Sequence, residues 1–298
     1  MRKKILPFLC VFLLLALTAV CCLAASSQGR LLQILDSGKA LLFDTENVTI
    51  RGNAEFLLDG ETFKKADILY MQDMKYSHWQ LDLLTPRPGL DDRETGYTII
   101  ANGENVYVIE RYTPGVYKTG THQPANTIIS QSAGSDLLLR TAYALADPVE
   151  GLLPEGTVTA SETDEGTELK ITLSRETTPA MLTPLVDMAA QFTLHRFLGV
   201  DFDGIRDWAV GPFDNYLTVT DGIIYTTSSY QPGEISVTVR LDDKGRISAV
   251  SGTVNMILLS KTEPERTLTV VFDASVSDYG TTYLRSFDPE EFSVIPAV

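Results

Sequence analysis

The sequence contains no cysteine after Cys22. Its three cysteines, Cys10, Cys21 and Cys22, all lie close to the N-terminus. If the chain is cleaved beyond them, the mature protein has no thiol and no disulfide, which excludes cysteine nucleophiles and zinc–thiolate centres. Small exported proteins often depend on disulfides, but a mature chain of about 270 residues can bury a core large enough to fold without them.

The familiar catalytic and metal-binding motifs are also missing. The histidines His78, His122 and His195 do not have the His-x-x-x-His spacing of a metal-binding helix. There is no Gly-x-Ser-x-Gly elbow, no Ser-x-x-Lys pair and no Gly-x-x-x-x-Gly-Lys phosphate loop. Asp201-Phe202-Asp203-Gly204 begins like a calcium loop, but no glutamate follows at the spacing of such a loop. We therefore predict a non-enzymatic protein without a metal or cofactor.

Basic residues are too few for a nucleic-acid-binding surface. The chain has 24 lysines and arginines against 39 aspartates and glutamates, and its formal net charge is −15 at pH 7. An acidic surface of this kind repels nucleic acid and anionic lipid head groups. Because the charges are interspersed rather than clustered, they favour solubility, and we expect no nucleic-acid partner.

The first 24 residues have the three parts of a secretory signal. A basic head, Met1–Lys4, precedes the uncharged and almost wholly apolar stretch Ile5–Leu23, and the small residues Ala24–Ser27 follow. This order predicts cleavage near Ala24. We therefore expect an extracytoplasmic protein, either secreted or retained in the cell envelope.

Two alternatives to cleavage remain open. The nineteen uncharged residues from Ile5 to Leu23 are just long enough to span a bilayer as an uncleaved anchor. Cys21 or Cys22 could instead carry a lipid, although Val20 stands where a lipoprotein signal has a small residue. Contact with a membrane is expected only through such an anchor or lipid.

Alternating apolar and polar residues predict two antiparallel meanders. Short connections such as Asp59-Gly60, Asn102-Gly103 and Asp242–Gly245 are typical of hairpin turns, and such links favour antiparallel pairing. The predicted strands are Val48–Leu58, Phe63–Asp73, Trp79–Leu83, Gly96–Ile100, Val106–Arg111, Val116–Lys118, Thr157–Glu162, Leu169–Leu173, Leu217–Thr226, Ile235–Leu241, Ile247–Leu259 and Leu268–Val276.

Helical spacing of apolar residues predicts three helices, at Gly29–Phe43, Ser135–Ala146 and Pro179–Leu198. The fold class is therefore α+β, with a curved, half-barrel-like antiparallel sheet and helices across one face. We divide the mature chain into residues 25–175, a helix and first meander, and residues 176–298, a helix and second meander. One continuous sheet and two sheet-plus-helix units both satisfy this pattern.

Some predicted strands are apolar on both faces. In Val106–Ile109, alternate residues point to opposite sides and all are apolar or aromatic. Such a sheet must be covered on both faces or must line a cavity. The candidate cavity residues on the strands are Trp79, Leu81, Leu83, Tyr97, Ile99, Val106 and Val108. Those on the last helix are Leu182, Leu185, Val186, Ala189 and Phe192.

The arrangement resembles the LolA/LolB-like lipoprotein carriers and the mycobacterial LppX/LprG-like proteins. The resemblance rests on the helix Leu31–Leu42, the strand Val48-Thr49-Ile50-Arg51-Gly52-Asn53-Ala54-Glu55-Phe56, then Asp67-Ile68-Leu69-Tyr70 and Trp79-Gln80-Leu81-Asp82-Leu83. It covers residues 29–175 best. That group folds as a half-barrel with a hydrophobic cavity for acyl chains, so the resemblance implies lipid or lipoprotein handling, but it carries over no individual binding residue.

The leading hypothesis is therefore an exported protein that binds an apolar or amphipathic ligand, a lipid or lipoprotein, between sheet and helices. The alternative is an interaction or sensor module of the cell envelope with a packed core and no ligand. A hydrolase comes third.

Overall fold

The computed structural model describes residues 30–73, 76–86, 94–102, 105–110, 116–121, 128, 140, 143, 154, 156–178, 180, 183–184, 187, 227–284 and 294–295. The predicted signal segment lies outside these residues. Within them, no helix combines the length and apolar character needed to cross a membrane.

The predicted N-terminal helix is confirmed as α1 (Arg30–Lys39), which continues into a π-helical turn, Ala40–Asp44. Ile34 and Leu35 of α1 are buried, as are Leu41 and Phe43 of the π-helical turn. The Ser37 hydroxyl donates a hydrogen bond to the carbonyl of Gly245, 2.7 Å away. The helix thus contacts the turn between two strands of the second meander, far away in sequence.

Eleven of the predicted strands are found in the described residues, and a twelfth short strand, β12, was not predicted. Their bounds are β1 (Asn47–Leu58), β2 (Glu61–Asp73), β3 (Tyr76–Pro86), β4 (Glu94–Asn102), β5 (Asn105–Glu110), β6 (Val116–Thr121), β7 (Val158–Thr163), β8 (Gly166–Leu173), β9 (Thr227–Leu241), β10 (Ile247–Ser260), β11 (Arg266–Ser277) and β12 (Val294–Ile295).

All twelve strands belong to one sheet, in the order β12-β6-β5-β4-β3-β2-β1-β11-β10-β9-β8-β7. The two meanders meet where β1 pairs with β11, from Thr49 opposite Ser277 to Leu58 opposite Leu268. Every pairing is antiparallel except that of β12 with β6, which is parallel and was not anticipated. The predicted class, an antiparallel sheet with a helix, is confirmed, and the strands of both meanders form one continuous sheet.

Two of the predicted hairpin turns have the expected backbone. Asp59 and Gly60 both have positive φ, 51° and 87°, as a two-residue hairpin loop requires. In the β9–β10 connection Gly245 has φ of 74°, and its N–H donates to the carbonyl of Asp242 at 2.9 Å. For Asn102-Gly103, the register pairs Asn102 with Asn105, while residues 103 and 104 lie outside the described residues.

Strand β9 begins at Thr227, eight residues before the predicted start at Ile235. Pro232 and Gly233 interrupt the alternation here, and the structure accommodates them at an irregularity in the β9–β10 pairing. Proline is tolerated at such a bulge because no ladder hydrogen bond needs its missing N–H. A Cβ at Gly233 would lie 3.0 Å from the Cβ of Asn255, so a larger residue here would have to displace its neighbour.

Several predicted elements lie wholly or mostly outside the described residues. Of the helix predicted at Ser135–Ala146, only Arg140 and Tyr143 are described, and both are helical. Of the helix predicted at Pro179–Leu198, four residues are described: Ala180 in a 3₁₀ turn, then Thr183, Pro184 and Asp187 in α-helical conformation. The strand predicted at Leu217–Thr226 is not among the described residues.

Candidate functional site

One row of apolar and small residues crosses eleven neighbouring strands on the same face of the sheet. Each member stands opposite the next in the antiparallel register, and opposite residues share a face. The row consists of Ala160, Leu169, Val239, Val250, Ala274, Gly52, Ile68, Leu81, Ile99, Val108 and Tyr117. We call the face that carries it the apolar face.

The apolar face is much wider than the described helix. Eleven strands at a spacing of about 4.8 Å span roughly 48 Å, whereas the ten residues of α1 extend about 15 Å. The apolar face is nevertheless well buried at positions in both halves of the sheet. Leu169, Val237 and Leu81 have no exposed surface, so the protein's own atoms cover the face at these points.

The register places all seven strand candidates on the apolar face. Leu81 stands opposite Ile99, and Ile99 opposite Val108, while Leu83 stands opposite Tyr97. Trp79 and Val106 occupy the next row, each opposite Ala101. Residues that the sequence predicted as a group are thus neighbours across β3, β4 and β5. Trp79 and Leu81 are both buried. The helical candidates Leu182, Leu185, Val186, Ala189 and Phe192 lie outside the described residues.

Small residues occupy the apolar face where the two meanders meet. Gly52 stands opposite Ala274, and in the next row Ala54 stands opposite Ala66. A Cβ at Gly52 would lie 3.0 Å from the carbonyl oxygen of Asp273, which is a tight contact between the two strands. The small residues form a limited patch, because Phe272 stands opposite Ala54 on the β11 side.

A buried polar cluster interrupts the apolar face beside Trp79. It consists of Tyr70, Gln72 and Ser77, of which Tyr70 stands opposite Trp79 and Gln72 opposite Ser77. The Tyr70 hydroxyl donates a hydrogen bond to Oε1 of Gln72, and the Ser77 side chain also hydrogen-bonds to Tyr70. Burial raises the pKa of the Tyr70 phenol, which therefore stays protonated at neutral pH. We call these three residues the polar cluster.

The polar cluster was not predicted from the sequence. Gln72 and Ser77 fall on the apolar face by strict alternation with Ile68, Tyr70 and Trp79, so period-two counting would have found them. Glutamine is seldom fully buried, yet Gln72 has no exposed surface. The available signal was a polar pair at inward positions on both sides of a hairpin.

The opposite face of the sheet is buried only in places. Arg51, Arg240 and Ser275 are exposed there, and Arg240 forms an ion pair with Glu168 at 3.0 Å. At β4 and β5, however, Ile100 and Tyr107 on this face are buried. The face opposite the apolar face is thus covered at those two positions, and the choice between a doubly covered sheet and a cavity stays open.

The start of the last predicted helix contacts β9 beyond the end of β8. Oδ1 of Asp187 accepts a hydrogen bond from the backbone N–H of Tyr230 at 2.6 Å. The β8–β9 pairing ends with Leu173 opposite Ile235, so Tyr230 lies past the last strand pair on that side.

Metal chemistry has no support among the residues that the structure describes, where no group of three or more His, Cys, Asp or Glu side chains could hold an ion. The described part of the site consists instead of a wide apolar surface, a patch of small residues and the polar cluster. Such an arrangement can bind apolar groups and hydrogen-bond to a neutral polar group.

Comparisons with known proteins are sparse. No family model and no curated protein matches the chain. A solved structure described as a LolA superfamily protein from Nitrosomonas europaea is similar to it at 9% sequence identity and a TM-score of 0.21, over 90% of this chain and 98% of that one. A likeness at this level is weak and does not establish the family of this chain.

Proposed function

We propose that this protein binds an apolar or amphipathic ligand, a lipid or the acyl part of a lipoprotein, against the β2–β5 region of the apolar face, and that it does so outside the cytoplasm. The observation that carries the proposal is the register. It gathers Trp79, Leu81 and five further apolar or aromatic residues on adjacent strands, near a patch of small residues on β1, β2 and β11. Ligand sites are concave and mostly apolar, with a few polar groups that orient the ligand.

The burial of Leu81 restricts how a ligand can reach the proposed site. Leu81 has no exposed surface, because protein atoms already cover it. An acyl chain can reach Leu81 only if part of that cover moves aside. Binding is therefore expected to be slower than diffusion and to involve a conformational change.

The same burial favours the second candidate, an envelope interaction module with a packed core. Leu169 and Val237 lie on the apolar face far from the proposed site and are buried as completely as Leu81. If the whole face serves only as a core, all these positions are equivalent. The two candidates therefore differ in whether the β2–β5 region behaves differently from the β8–β9 region.

Tryptophan fluorescence can test the proposal directly. The chain has two tryptophans, Trp79 and Trp208, so the Trp208→Phe variant reports on Trp79 alone. Dibromostearoyl glycerol quenches fluorescence only where its acyl chain lies against the indole, whereas stearoyl glycerol does not quench. We expect saturable quenching of Trp79 by the brominated lipid.

The matched control is the Trp79→Phe variant, which keeps only Trp208. Trp79 fluorescence that is identical with both lipids, under conditions where the protein is folded, would rule out binding at this site. Quenching that rises linearly without saturation would also count against a specific site.

A further inference from the structure

We infer that the polar cluster Tyr70–Gln72–Ser77 is the subsite for the head group of the ligand, and that it selects an uncharged hydrogen-bonding group such as an ester or hydroxyl rather than a carboxylate or phosphate. This inference rests on the proposed function and specifies the chemistry of the ligand at the same site.

The position of the polar cluster in the sheet supports this inference. The three residues occupy the apolar face at the end of the β2–β3 hairpin, with Gln72 and Ser77 only one pair away from the end pair of Asp73 and Tyr76. Trp79 stands opposite Tyr70 in the adjoining row. An acyl chain that lies along Trp79 and Leu81 would therefore end at the cluster, close to the rim of the sheet.

The free-energy cost of burying these polar groups on an apolar face also supports the inference. Gln72 has no exposed surface, and Tyr70 and Ser77 are also buried. Removing an amide or hydroxyl from water costs free energy that its internal hydrogen bonds only offset. The residues next to the cluster on the same face are apolar in both flanking strands, Val48 and Ile50 in β1 and Trp79 in β3, so the cluster is a polar site in an apolar surround.

The lack of charge on the polar cluster indicates which head group it would bind. All three side chains are uncharged, and the adjoining Val48 and Ile50 on the same face are apolar. Burial raises the pKa of Tyr70, so the phenol offers a hydroxyl that can donate or accept, but no ionic partner. Among the described residues that adjoin the cluster on this face there is no counter-charge for a carboxylate that has lost its hydration, whereas an ester or hydroxyl could exchange hydrogen bonds with the cluster.

Three ligands of equal chain length separate these contributions: lauroyl glycerol with a neutral polar head, laurate with a charged head, and dodecane with none. Their affinities are measured at pH 7 by displacement of the neutral fluorescent probe N-phenylnaphthylamine. We expect lauroyl glycerol to bind at least about tenfold more tightly than laurate or dodecane, which is the scale of one well-made buried hydrogen bond.

The variant Tyr70→Phe should abolish most of the advantage of lauroyl glycerol and leave dodecane unchanged. Ser77→Ala should weaken the same preference, and it carries the comparison if Tyr70→Phe does not fold. The matched control is Tyr107→Phe, because Tyr107 is also buried but lies on the opposite face. It should alter neither affinity.

The outcomes distinguish the inference from the proposed function. If all three ligands displace the probe equally, or if Tyr70→Phe lowers stability without changing the preference, the cluster is only structural and the inference is wrong while the proposed function stands. If laurate binds most tightly, the assigned head-group chemistry is wrong. If none of them displaces the probe, both fail.

Discussion

At the scale of single residues, Leu81 and Leu169 form a natural matched pair. Both are leucines in the same row of the apolar face, and both have no exposed surface. Each change to alanine should destabilise the protein by about 2–5 kcal/mol, because it removes a buried side chain and leaves a cavity. Only Leu81→Ala should also weaken binding of lauroyl glycerol. Equal effects on binding would favour the packed-core alternative.

Substitution of glycine by alanine should have opposite effects on stability at Gly252 and at Gly38. A Cβ at Gly252 would overlap the carbonyl oxygen of Ser236 in the neighbouring strand, so Gly252→Ala should destabilise by about 1–3 kcal/mol. Nothing lies within 4 Å of a Cβ at Gly38 in α1, so Gly38→Ala should stabilise by about 0.5–1 kcal/mol through helix propensity. Urea denaturation measures both, and a neutral Gly252→Ala would show that the two strands are not so close.

The faces of individual residues were largely predictable because a strand has a period of two. Alternation placed Trp79, Leu81 and Leu83 on one side, and the register confirms that Tyr97 and Ile99 share that side. Alternation also places Tyr70 beside Gln72, because the two lie two residues apart in β2 and their side chains share a face. The position of Ser77 opposite Gln72 depends on the register of the β2–β3 hairpin, which alternation alone does not give.

At the scale of secondary-structure elements, the residues in the turns explain why most of the hairpins could be predicted from the sequence. Asp59-Gly60 and Asp242–Gly245 occur where the chain reverses, and glycine supplies the positive φ at each turn. The early start of β9 was missed because Pro232 and Gly233 are typical of loops. Their tolerance depends on a bulge opposite Asn255, which local sequence does not reveal.

The contact between Asp187 and β9 gives a prediction for the last predicted helix. Asp187→Ala removes the carboxylate that accepts the N–H of Tyr230, a charge-assisted hydrogen bond typically worth about 1.5–3 kcal/mol. We expect a loss of stability in that range and faster hydrogen exchange at the Tyr230 amide.

The control for this change is Asp243→Ala, because Asp243 is exposed in the β9–β10 turn. Surface changes of this kind usually shift stability by less than about 0.5 kcal/mol. If the two variants behave alike, Asp187 does not hold the helix to the sheet.

At the scale of the whole molecule, the decisive feature is the pairing of β1 with β11. These strands are about two hundred residues apart in sequence, and no local pattern indicated their partnership, which left one sheet and two units as equal alternatives. Ten residue pairs join them, from Thr49–Ser277 to Leu58–Leu268. The division into residues 25–175 and 176–298 remains a prediction about folding units.

This junction predicts that the two meanders unfold together. Separating them would expose the buried face along both β1 and β11, including Phe56 and Val270. Chemical denaturation followed by hydrogen exchange at amides in β2 and in β10 should give one shared transition. Two separable transitions would mean that the halves are independent despite the common sheet.

The most direct test of ligand binding is native mass spectrometry of the full protein purified from its own cell envelope without detergent exchange. The proposed function predicts a population that carries one lipid-sized adduct, released on gentle activation and identified as an acyl lipid. The Leu81→Ala variant should lose the adduct, whereas Leu169→Ala should keep it. A single mass corresponding to the polypeptide alone, from folded protein under conditions that preserve lipid complexes, would contradict the proposal and leave the packed interaction module as the better account.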